Sequence, residues 1–128
     1  MKIRLLSIGS VVACLLMMSG PVFAHHSWSG YDMANLTTVK GIVTEFDWGN
    51  PHMWINFEVT DDKGNVQKWS AGGPGPSRLA NTGWDKNSLK PGDQITFVGH
   101  RSADGAYTMR LEKVVLPDKR ELSCYRGR

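Results

Sequence analysis

Covalent cross-links are nearly absent from this chain of 128 residues. It has two cysteines, and one of them, Cys14, lies inside an N-terminal apolar stretch. Once that stretch is removed Cys124 stands alone, no intrachain disulfide can form, and the fold must rest on its core. A Cys-x-x-Cys pair is missing, which excludes the common zinc-finger spacings. There is no Gly-x-Ser-x-Gly elbow, no phosphate-binding glycine loop and no Cys/His nucleophile pairing. Asp61-Asp62 belongs to a turn, where adjacent carboxylates are ordinary. Basic residues (15) barely outnumber acidic ones (12) and form no cluster, so the footprint of a nucleic-acid binder is missing. No apolar run is long enough to span a bilayer.

What is present begins with the leader. Lys2 and Arg4 precede an apolar stretch from Leu5 to Met18, and Val22-Phe23-Ala24 sets small residues at the two positions a signal peptidase reads. The pattern predicts a bacterial signal peptide over residues 1–24 and an exported, periplasmic protein without membrane insertion after cleavage. The competing cut is a lipoprotein signal at Val11-Val12-Ala13-Cys14, which would acylate Cys14. The apolar run continues past that cysteine, whereas a lipobox normally ends it. Cleavage after Ala24 removes Lys2 and Arg4 and leaves 13 basic against 12 acidic side chains. The basic isoelectric point of the precursor therefore says little about partners.

Residues 25–36 read as an irregular lead-in. Thr37 to Trp48 reads as a strand, and Gly49-Asn50-Pro51 as a turn. In His52 to Thr60, Met53, Ile55, Phe57 and Val59 alternate with His52, Trp54, Asn56, Glu58 and Thr60, which assigns the first set to the core. Asp61 to Asn65 makes a hairpin turn into a strand from Val66 to Ala71. Gly72-Gly73-Pro74-Gly75-Pro76 is expected to interrupt the pattern. Ser77 is expected to cap a short helix ending near Gly83. Strands follow over Gln94 to Arg101 and Ala106 to Leu116, and residues 118–128 read as a loose polar tail. Five strands with one short helix before the fourth predict an all-β, OB-like Greek-key barrel over residues 37–117, with a β-sandwich as the alternative.

Several stretches together resemble a known family: His25-His26-Ser27, Gly41 to Trp48, Asn50-Pro51-His52-Met53-Trp54, Gly83-Trp84, Lys90-Pro91-Gly92-Asp93 and Asp104-Gly105. They look like small secreted bacterial proteins classed as a domain of unknown function. The resemblance implies an exported β-rich domain and supplies no catalytic residue. The chain departs from the family pattern at Asp118-Lys119-Arg120, where relatives tend to have Asp-Gly-Arg, and at the glycine- and proline-rich Gly72 to Pro76.

The candidate chemistry lies in the histidines and tryptophans. Cleavage after Ala24 gives His25 a free α-amine beside its imidazole, a chelate suited to copper(II), with His26 adjacent. His52 opens the second strand on its polar face. The expectation is one copper ion per mature chain, held by His25 with His26 or His52. The opposing reading leaves these histidines idle, with the His52 imidazole bonded to a nearby carbonyl. His100 reads as a surface residue. Trp54 shares the polar face with Asn56 and Glu58, and the three form a candidate surface for a small ligand or an exported partner protein. The N-terminal segment, through Trp28 or Tyr31, is expected to cover Trp54 and so to bring His25 and His26 near His52. A non-enzymatic binding protein is the leading reading. A metal-free interaction module, or an accessory subunit of an exported oxidoreductase, are the alternatives.

Overall fold

The computed structural model describes residues 28–127. Cys14, His25, His26 and the predicted cleavage point lie outside the described residues. Among the described residues six strands form: β1 (Thr37–Asp47), β2 (His52–Thr60), β3 (Val66–Pro74), β4 (Gln94–Arg101), β5 (Thr108–Val115) and β6 (Glu121–Ser123). Antiparallel pairing runs in the order β3-β2-β1-β4-β5-β6. A parallel pairing of Ser70–Gly72 in β3 with Thr108–Arg110 in β5 closes the first five strands into a barrel. The predicted OB-like barrel is the observed architecture.

The alternation in β2 sets the core. Met53, Ile55 and Phe57 are buried; Val59 packs against them from a half-buried position. Phe57 stacks on Phe97 of β4 with centroids 3.8 Å apart, joining opposite walls of the barrel. Two bulges keep apolar residues inward on strands whose sequence would otherwise turn them out. Val43 pairs with Phe57 and Glu45 with Asn56, so Thr44 is the extra residue in β1. Val98 pairs with Lys113 and Gly99 with Leu111, so Glu112 is the extra residue in β5. Leu111 and Val114 thereby both reach the core.

Three sequence-based expectations are corrected. The Gly72-Gly73-Pro74 stretch does not interrupt β3; it is the buried end of that strand. A Cβ at Gly72 would lie 2.8 Å from the Trp54 indole, and one at Gly73 would lie 2.9 Å from the Met53 methyl. These glycines let side chains of β2 lie against the backbone of β3. The helix, α1, spans Pro76–Leu79 and continues as a 3₁₀ turn over Ala80–Thr82, ending at Gly83 with φ 91°. Its N-cap is Gly75 and Pro76 occupies the first turn, where a missing N–H costs nothing, so Ser77 is not the cap. The segment read as a loose tail instead adds β6 to the edge of β5. Trp84 Nε1 donates to Ser123 O at 2.9 Å, and Cys124 is buried in the core cluster.

Candidate functional site

The β1–β2 turn delivers His52 to the first position of β2, opposite Pro74. The Asn50–Pro51 peptide is cis, and Gly75 leaves room for Asn50 Oδ1 and Pro51 O, which a Cβ there would meet at 2.8 and 2.9 Å. His52 Nδ1 lies 3.2 Å from Gly73 O. A carbonyl can only accept, so a neutral imidazole in this geometry carries its proton on Nδ1 and its lone pair on Nε2. Among the described residues Nε2 makes no hydrogen bond. A ring held through one nitrogen on a backbone carbonyl, with the other nitrogen left as an acceptor, is the usual arrangement of a metal-ligating histidine.

The half-buried Trp28 stands over this ring, with centroids 5.0 Å apart and planes at 63°. The same indole lies 5.7 Å from Tyr31 and 6.4 Å from Trp54. Trp54 in turn lies flat against Gly72 and is half-buried. The aromatic cover expected from the N-terminal segment is therefore present, with Trp28 its main element. Further along β2, Asn56 and Glu58 are exposed. Asn56 Nδ2 donates to Glu45 Oε2 at 3.1 Å. Asn56 and Glu58 line a shallow depression of about 450 Å³ with Lys68, Ser70 and Tyr107. Trp54 faces the N-terminal segment, and Asn56 and Glu58 face solvent beside Tyr107.

Below Trp28 lies a group of buried polar residues that sequence reasoning missed. Arg110 and His100, opposite each other in the β4–β5 register, are 7% and 8% exposed. Arg110 Nη1 donates to Glu112 Oε1, and His100 Nε2 lies 3.4 Å from the same oxygen. The Arg110 guanidinium carbon lies 4.4 Å from the Tyr125 ring centroid and 5.9 Å from that of Trp28, within cation–π range of both. His100 Nδ1 lies 3.0 Å from Asp32 O and 2.8 Å from Asn35 O. A signal existed in the sequence: Arg110 and Glu112 stand two apart on a strand. Their burial depends on the N-terminal segment and Tyr125, which no periodicity reveals.

The donor inventory is narrow. Among the described residues no group of three His, Cys, Asp or Glu side chains could hold a metal ion. His52 is the described member of the predicted set; His25 and His26 are not described. Burial pushes the Cys124 thiol up to about 12, with the Glu112 carboxylate adding to the shift and Arg110 opposing it. It is therefore a protonated thiol at neutral pH, unsuited to metal ligation or disulfide exchange while the barrel is folded.

Fold and site together define a small closed β-barrel whose second strand presents a histidine beneath an aromatic N-terminal segment. The chain belongs to the family described as "Family of unknown function (DUF6152)", whose model matches residues 12–110. No curated protein matches it.

Proposed function

We propose that the protein is an exported copper-binding protein in which the N-terminal histidines and His52 share one metal ion. The observation that carries this reading is the packing of Trp28 on His52 at 5.0 Å. Trp28 is two residues from His26 and three from His25. Consecutive Cα atoms are about 3.8 Å apart, so in a chain cut after Ala24 both histidines are within covalent reach of the His52 ring. Such tethering raises the local concentration of the histidines around one another without any further contact. The amine and imidazole of a mature His25, with the Nε2 lone pair of His52, supply the nitrogen-rich donor set that copper(II) favours.

Isothermal titration of copper(II) into protein processed by its own signal peptide tests this, because a retained methionine or tag would block the amine. One ion per chain is expected, with weaker binding to His25→Ala and His52→Ala. Affinity falls as the pH drops below about 6, because protons compete for imidazole nitrogen. Binding no tighter than to a histidine-free variant would overturn the reading. The metal-free alternative, an interaction module, would then lead. It is favoured by the exposure of Asn56 and Glu58 beside Tyr107, with Trp54 as the neighbouring aromatic.

A further inference from the structure

We infer that Arg110 is the positioning residue that holds the N-terminal segment over His52, with Glu112 and His100 holding Arg110 and the segment in turn. The metal ion in this argument rests on the copper reading; the anchoring geometry does not.

Burying an arginine, a carboxylate and a histidine on the outside of a small barrel is costly, and an apolar patch of similar volume would usually be as stable or more so. The arrangement therefore calls for a reason other than stability, and its contacts supply one. The segment from Trp28 to Asn35 contains no helix or strand of its own. Its middle is held by Ala103 N, which donates to Gly30 O at 2.8 Å, and by a bridge between Tyr31 and Ser102, while both its ends meet the buried polar group. At its far end His100 Nδ1 faces the carbonyls of Asp32 and Asn35, and Asp32 N donates to Arg101 O at 2.9 Å. At its near end the Arg110 guanidinium lies beside the Trp28 ring, which itself lies on His52. Glu112 is common to both ends, since its Oε1 meets Arg110 Nη1 and His100 Nε2. The bulge that makes Glu112 the extra residue of β5 lies at this point. Gly99 makes the local approach possible, because a Cβ there would lie 2.3 Å from Arg110 O. The polar group thus links β4 and β5 to the aromatic cover above His52. Fixing that cover in advance lowers the ordering cost of gathering ligands from the chain start.

The test compares folded variants. Arg110→Met/Glu112→Gln removes both buried charges at once, so neither is left unpaired. In this variant the nuclear Overhauser contacts between the Trp28 indole and the His52 imidazole should disappear. Copper(II) affinity should fall by about 10- to 100-fold, the range seen when groups that orient metal ligands are removed. In a His52→Ala background the same double change should cause little further loss, a coupling that a general loss of stability would not produce. Retained Overhauser contacts, or unchanged affinity in a folded variant, would overturn the proposal. Should that variant fail to fold, Trp28→Leu leaves the buried charges in place and must show the same loss of affinity; wild-type affinity there would overturn it equally. If the wild-type protein binds no copper, the metal reading fails by itself, and the Overhauser contacts alone decide whether Arg110 holds Trp28.

Discussion

The two faces of β2 obey different rules. Its inner face carries Met53, Ile55 and Phe57, each at most 1% exposed, packed against Phe97, Met109 and Leu111 with no polar partner needed. Its outer face carries His52 and Trp54, covered by an irregular segment and backed by Arg110, Glu112 and His100. Burial on the inside stabilises through the removal of apolar surface from water. Burial on the outside desolvates charged groups and returns geometry instead. One strand thus separates what makes the barrel fold from what arranges a site upon it.

That contrast predicts a graded series of responses. Phe57→Ala removes the ring stacked on Phe97 and should cost about 3–5 kcal/mol in chemical denaturation. A smaller cost would mean that the core collapses around the loss. Gly72→Ala strikes the outer face alone, by driving a methyl into the Trp54 indole. It should cost about 1–3 kcal/mol and shift the tryptophan emission, because the ring must move. Unaltered emission would show that Trp54 does not lie where the cover requires.

Lys119 tests the C-terminal hairpin that brings Cys124 and Tyr125 back to the barrel. It has φ 72°, a left-handed conformation that a side chain disfavours and glycine adopts freely. Lys119→Gly should therefore stabilise the protein by up to about 1 kcal/mol, read as a rise in melting temperature. Acid should act least and locally. Asn65 N–H holds the Asp61 carboxyl below its ordinary range, as Ala106 N–H does for Asp104. A lowered folded-state value means that the stabilisation is complete above the ordinary carboxylate range, near pH 4, and is lost as the pH falls through the lowered values. Asp61→Asn should flatten the melting-temperature profile below pH 4 and lower it slightly at pH 7, where the carboxylate's stabilisation is complete.

The inner face was legible in the sequence because period-two alternation reports burial directly. His52 to Thr60 has the predicted bounds, as does Gln94 to Arg101. The glycine-rich end of β3 was misread because glycine usually breaks a strand. Here it answers a specific neighbour, the Trp54 ring, which pairing alone brings into place. The last strand was misread because Leu122 and Cys124 are isolated apolar residues among charges, and their burial depends on Trp84 and Gly73 from distant parts of the chain. Of the candidate site, the place of His52 on the outer face, its imidazole bonded to a nearby carbonyl as the opposing reading had it, and the covering Trp28 were legible. Arg110 and His100 were not, since a charged residue in a strand is read as exposed until something is seen to cover it.

Electron paramagnetic resonance of the copper(II)-loaded, correctly processed protein, set beside His52→Ala, tests the central claim most directly. The account predicts nitrogen hyperfine structure that includes an imidazole contribution from His52, lost in the variant while the His25 contribution remains. Identical spectra from the two proteins would place His52 outside the coordination sphere and contradict the account.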